Sequence, residues 1–322
     1  MSHMPRRSSV SDPEALRTEL ISLLTEFEQH LKNGDLRQQV RELIPANRLL
    51  RDLGGSLLRD ETATSARDRI LRYLINYAKE IIESEELMVI GGISEYARRV
   101  RELRVEFGWK IITGYTVREM IHEDQDAFSD NPALLEMKPD DYMLISTIQD
   151  RDAAYRWRLA NEIRKDNRLS MRDKILKFLR NNVGAEVSGE ELRYVADNRS
   201  EWARRVRELR TEQGWPIATQ NEGRPDLPIG VYVLEENKQA QAHDRRIKDT
   251  VRRAVLVRDK YSCRKCGWNK DKMDPADPRH LEVHHEVPHI EGGANTADNL
   301  VTLCNICHDD VHREAKKKKK TC

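Results

Sequence analysis

The sequence predicts a mainly helical α+β protein whose sheets are small hairpins, built from several modules rather than one large core. Three observations carry that expectation. Of 322 residues, 34% are charged and only 6% aromatic, a balance that suits soluble helices around small cores. A segment recurs: Ser94 to Trp109 reads SEYARRVRELRVEFGW and Ser200 to Trp215 reads SEWARRVRELRTEQGW, with 13 of 16 positions identical. Finally, two CxxC pairs, Cys263/Cys266 and Cys304/Cys307, enclose a segment containing His284-His285, and His308 and His312 follow at once.

The N-terminal stretch, residues 1–60, reads as helical. Leu16, Leu20, Leu23, Leu24, Phe27 and Leu31 fall at three-and-four spacing, and Gly34-Asp35 breaks the pattern. A second helical stretch carries Leu36, Val40 and Leu43 and is expected to stop before Pro45. So few helices do not bury their apolar faces alone. They are expected to dock on the rest of the chain or on a second subunit, and a homodimer is the expected assembly.

The likeness between the two copies extends beyond the repeated segment. Arg67-Asp68 and Ile70-Leu71 correspond to Arg172-Asp173 and Ile175-Leu176 upstream, and Tyr142/Leu144 to Tyr232/Leu234 downstream. Each copy is thus the size of a small domain, 61–150 and 168–238, too large for a solenoid repeat. Within each, two helices (about Ala66 to Tyr77 and Ser84 to Ile90; Met171 to Asn181 and Gly189 to Val195) precede the repeated helix, which is expected to start at a Ser N-cap. A short hairpin follows the Gly-Trp pair, with Trp109 to Thr113 and Tyr142 to Ser146 as strands in the first copy. There the hairpin carries a long insertion, Tyr115 to Asp140. The second copy makes the same connection with Gln220 to Gly230.

Three helices and a hairpin in that order resemble the winged helix-turn-helix fold. At 100° per residue, Tyr96, Val100, Leu103 and Phe107 share one side of the repeated helix, and Ser94, Arg98, Arg101 and Val105 lie toward the other. Ser200, Arg204, Arg207 and Thr211 are their counterparts. With Arg224 on the second copy's connection, these outward residues, Val105 apart, are the candidate DNA contacts, since arginines one turn apart suit phosphates or the O6/N7 edge of guanine. The alternative is a merely soluble helix, with Glu95 and Glu102 as charge partners.

In residues 245–322, two cysteine knuckles supply four thiolates, enough to close a tetrahedral structural Zn²⁺ site with no open position. Leu281 to Pro288 reads as a strand that stops at the proline. Asn299 to Leu303 leads to the second knuckle, and a helix from about Ile306 places His308 and His312 on one face at i and i+4. The CxxC, HHEVP, GGANTADNL and LCNICHDDVH motifs resemble an HNH nuclease of the ββα-metal class, from about Val255 through His312.

That resemblance implies a C-terminal ββα-metal domain and assigns roles. His285 would be the general base that deprotonates the attacking water, and Asn299 would hold the following loop so that the base keeps its aim. His284 and His308 would bind the catalytic divalent ion, with His312 as a third ligand. Many relatives place Asp where this chain has His284, and imidazole favours softer ions, so Mg²⁺, Mn²⁺ and Ni²⁺ all stay open. The competing reading is a degenerate zinc module.

Lys+Arg (56) and Asp+Glu (55) nearly cancel, so global charge points to no polyanionic partner. With no apolar run long enough for a membrane span and no signal peptide, a cytoplasmic protein is expected. There, paired cysteines favour metal over disulfides. Together the readings predict an endonuclease resembling restriction enzymes, including those that require a modified base, with double-stranded DNA as substrate. The alternatives are a DNA-binding regulator with an inactive zinc scaffold, or a structure-specific or RNA-directed nuclease.

Overall fold

The computed structural model describes residues 12–33, 35–128, 131–240, 247–269, 277–287 and 293–320. Pro288, Gly292 and Cys322 lie outside them. The structure is mainly helical with small antiparallel sheets, and it divides into two compact units: Met1–Gly114 with Lys138–Ala154, and Tyr115–Met137 with Tyr155–Cys322.

The first unit opens with α1 (Pro13–Asn33) and α2 (Leu36–Ser56), packed on one another. Asp35 caps α2 by accepting from the Gln38 N–H. The expected stop before Pro45 is not observed, because α2 runs through the proline. Beyond it the helix closes on α4 (Ser84–Gly91), where a Cβ on Gly54 would sit 2.5 Å from the Val89 carbonyl oxygen. Only glycine allows that approach, so tertiary contact holds the segment helical despite the missing proline N–H.

Between α2 and α4 lies α3 (Ala66–Asn76), started by a Ser65/Asp68 capping box. The repeated helix of this copy is α5 (Tyr96–Val105). It begins two residues after Ser94, and Glu95 occupies the cap without a side-chain bond, so the expected Ser N-cap is not used. The strands β1 (Ile111–Thr113) and β2 (Tyr142–Leu144) pair antiparallel, and Ile82 adds a bridge to Tyr142. Ile70, Leu74, Leu87, Val100, Leu103 and Leu144 form the core of this copy. It is the apolar side of the repeated helix meeting the hairpin.

The hairpin insertion forms α6 (Gly114–Glu123), and from Tyr115 to Met137 it belongs to the second unit. That unit continues with α7 (Ala153–Arg164), α8 (Met171–Arg180), β3 (Val187–Ser188), α9 (Gly189–Val195), α10 (Trp202–Thr211), β4 (Ile217–Ala218) and β5 (Val231–Leu234). Ser170 and Ser188 cap α8 and α9. The strands order β3-β5-β4, the arrangement that Ile82, β2 and β1 make in the first copy. Here too the repeated helix α10 starts after its serine, with Glu201 at the cap.

The chain ends in α11 (Asp249–Arg258), the antiparallel pair β6 (Leu281–His285) and β7 (Leu300–Cys304), and α12 (Asn305–Lys320). Ile247, Val255, Leu256, Val283 and Leu300 form one small core, and Trp268 and Leu303 pack with Cys263, Cys304 and Cys307 in another.

Candidate active site and metal centres

The strand pair and the helix after it assemble two clusters of metal-ligating side chains. Cys263, Cys266, Cys304 and Cys307 bring their sulfurs within 4.8 Å of one another. Zinc–thiolate bonds of about 2.3 Å in tetrahedral array require sulfurs about 3.8 Å apart. Cys266 and Cys304 are separated by 3.8 Å. The first knuckle is shaped by Gly267 at positive φ, whose N–H bonds the Cys263 carbonyl at 2.8 Å. Burial pushes the Cys304 and Cys307 thiols above their ordinary pKa. Burial also opposes ionisation of Cys263, but backbone N–H groups of Cys304, Cys266 and Lys265 outweigh it and lower that thiol to about 7. Four crowded sulfurs, half of them resisting ionisation, need a cation to become thiolates, and the donor set fits zinc.

The second cluster is His284, His308 and His312, again with ligand atoms within 4.8 Å. His284 comes from β6, and the other two sit one turn apart on α12. The His308 and His312 rings meet with Nε2 atoms 3.0 Å apart. On its other side His308 directs Nδ1 to Oε2 of Glu282 at 2.6 Å, and the same carboxylate lies 3.3 Å from His280 Nε2. Burial alone would raise the Glu282 pKa. The bonds from His280 and His308 instead hold it well below the usual carboxylate range. An ionised Glu282 fixes the proton of His308 on Nδ1, so the Nε2 lone pair faces the centre of the cluster, as a metal ligand requires. The three imidazoles therefore fit a divalent cation.

His285 is fully buried and paired with Leu300 in the β6–β7 ladder. Its Nε2 lies 2.6 Å from Oδ1 of Asn295. An amide oxygen only accepts, so Nε2 carries the proton and Nδ1 is the basic nitrogen. Consecutive residues of a paired strand project to opposite faces, and the strand stays paired through His285. The chain bends at Glu286–Val287, directly after it.

Asn299 closes that bend. Its side chain accepts from the Val287 N–H at 2.9 Å and donates to the carbonyls of Val287 and Ala294, each at 3.0 Å. Gly293 approaches Val287 so closely that a Cβ on it would stand 1.8 Å from the Val287 oxygen. From below, Arg258 donates to the carbonyls of Ala297 and Leu300, and Asp259 accepts from the Thr302 N–H. Sequence reasoning left Asn295 out, since nothing in its spacing marks it. Glu282 carried a legible signal, for it stands two positions before His284 and so shares its face of the strand.

The candidate DNA contacts fall into two groups. Ser94, Arg98 and Arg101 on the first copy are exposed, as are Ser200 and Arg204 on the second. Arg207 is half-buried and ion-paired with Glu123 of α6. Thr211 is buried and donates its hydroxyl to the Arg207 carbonyl. Arg224 is held between Asp226 and Glu235.

Parts of this chain are similar to two known families and to a curated protein. Residues 67–145 and 172–235 match the KpnI N-terminal domain, and residues 263–314 match the HNH endonuclease family. The second matched family is one of endonucleases, enzymes that hydrolyse phosphodiester bonds. A curated relative, the type IV methyl-directed restriction enzyme EcoKMcrA of Escherichia coli (strain K12), is 42% identical over 59 residues, 18% of this chain. The chain spans about a fifth of that relative's length. No solved structure matches the chain.

Proposed function

We propose that this chain, which joins KpnI N-terminal domain matches to an HNH endonuclease domain, is a restriction-type endonuclease that cuts double-stranded DNA at chosen sites. The observation that carries the proposal is the convergence of His284, His308 and His312, with His285 as the next residue of β6 after the ligand His284.

In this reading β6, β7 and α12 form the ββα-metal unit, and each copy of the three-helix and hairpin module is a winged helix. A divalent cation bound by His284, His308 and His312 would supply the positive charge that steadies the scissile phosphate and the departing 3′ oxygen. His285, with Asn295 fixing its tautomer, takes a proton from water as the water oxygen bonds to phosphorus and the bond to the 3′ oxygen breaks. Asn299 and Gly293 hold the loop behind the base. The four cysteines hold a structural zinc, which keeps β7 and α12 in register. Arg98 and Arg101 face outward on a helix placed to read DNA. One such site cuts one strand, so a homodimer is the simplest way to break a duplex. The methyl-directed activity named for EcoKMcrA supports a second reading, in which cutting requires a modified base.

Digestion of methylated and unmethylated plasmid in Mg²⁺, Mn²⁺ or Ni²⁺ tests this. Discrete fragments are expected, with His285→Ala slower by roughly 10²–10⁴-fold, the usual contribution of a general base. Fragments from methylated plasmid alone would select the second reading. If every DNA stays uncut in every metal, the domain is a scaffold and the proposal fails.

A further inference from the structure

The two copies of the repeated helix have nearly the same sequence, and Arg98 and its counterpart Arg204 are both exposed and paired with a glutamate one turn on, but the neighbouring flank of the helix is open in the first copy and covered in the second. On α5, Ala97 and Arg101 are exposed, and the Arg98 side chain is 69% exposed. On α10 the counterpart of Ala97, Ala203, is buried. Arg207, the counterpart of Arg101, is tied to Glu123. Arg210 is buried and donates to both carboxylate oxygens of Asp249 on α11, at 3.2 and 2.7 Å.

The cover comes from α6 and from the first helix of the nuclease domain. Glu119 of α6 accepts from the indole N–H of Trp202 and from Arg193, both at 2.8 Å. Thr116 donates to Glu190 at 2.7 Å. Asp124, one residue past α6, pairs at 2.6 Å with Arg253 of α11, which also approaches Glu222. These are ionic and hydrogen-bonded contacts among four helices of one unit, α6, α9, α10 and α11. Truncating one partner of such a buried pair strands the other, so the covered arrangement of α10 is costly to break at any one of these contacts. A helix held this way does not enter a DNA groove with the same face.

Resting on the nuclease reading, we infer that the copies have divided their labour. The first supplies the helix that reads DNA through Arg98 and Arg101. The second has become a bracket in which α10, covered by α6, carries the nuclease domain through Arg210–Asp249. The α6 insertion, present only in the first copy's hairpin, is the part that makes the difference.

The test measures how binding to linearised plasmid DNA depends on salt, using the full chain with His285→Ala so that the DNA stays whole. Each phosphate contact adds about 0.9 to the slope of log K against log salt. Arg98→Ala with Arg101→Ala is expected to make the slope shallower by about 2, whereas Arg204→Ala leaves it unchanged. Arg210→Ala is expected to lower the melting temperature with no change in slope. An equal loss of slope from Arg204→Ala, or none from the first-copy pair while melting is unaltered, overturns the division. If the parent protein itself shows no salt-dependent binding, the nuclease reading falls, and this inference falls with it.

Discussion

At the residue scale, the candidate site is organised by carboxylates and amides rather than by its histidines alone. Glu282 dictates which nitrogen of His308 is basic, Asn295 does the same for His285, and Asn299 ties both strands of the loop. Glu282→Gln leaves the size of the side chain unchanged but removes the charge that holds the His308 proton. It is expected to weaken divalent-cation binding roughly 10–100-fold, the usual cost of losing such a partner, as read by titration calorimetry with Mn²⁺ or Ni²⁺. Unchanged affinity would mean that Glu282 merely packs. The histidines and Asn299 were legible in the sequence because they sit at fixed offsets on a strand and a helix. Asn295 was not, since its meeting with His285 depends on how a loop folds back, and periodicity says nothing about that.

At the scale of elements, the nuclease domain is stitched from short pieces. Its knuckle core consists of a few residues around the cysteines, too little apolar surface to hold β7 and α12 without a cross-link. Chelating the metal is therefore expected to melt this domain while the two copies keep their helices. Circular dichroism and metal analysis would show partial loss of helix and one bound zinc per chain. A full helical signal after chelation would contradict the structural role.

The loop between β4 and β5 holds a different kind of element. Burial raises Glu222 to about 7 against the opposing pull of Arg210, so the folded protein holds a proton there that the unfolded chain releases near 4.5. A carboxyl raised in this way contributes stability at low pH, and the contribution is lost as pH climbs from about 4.5 through about 7. Glu222→Gln should be more stable than the parent above that window, by roughly 1–3 kcal/mol, and show little difference below it. Melting curves across the range would reveal it, and a constant gap at all pH values would discount the titration. The element boundaries expected from sequence met their clearest exceptions at Pro45 and at the two serines before the repeated helices. Local rules favour a stop at a proline and a cap at a serine. Packing against Val89 sustains α2, and the repeated helices simply begin two residues later.

At the scale of the whole molecule, α1 and α2 leave many apolar side chains in solvent, among them Leu36 at 76% exposure and Leu31 at 59%. Exposed apolar surface of this kind is usual at an interaction site. If the chain works as the proposed homodimer, gel filtration is expected to give a dimer for the full chain and a monomer once residues 1–60 are removed. An unchanged elution state would move the dimer surface elsewhere. Among the described residues no helix is long and apolar enough to cross a membrane.

The sequence by itself showed the internal duplication, the thiolate clip and the candidate base and ligands, because each is written in residue type and spacing. It could not tell the two copies apart in use, since their repeated helices are almost identical letter for letter. Only the tertiary structure decided that, by laying α6 and α11 across one copy and leaving the other open. Burial and charge pairing depend on what a helix is packed against, and that partner lies far away along the chain.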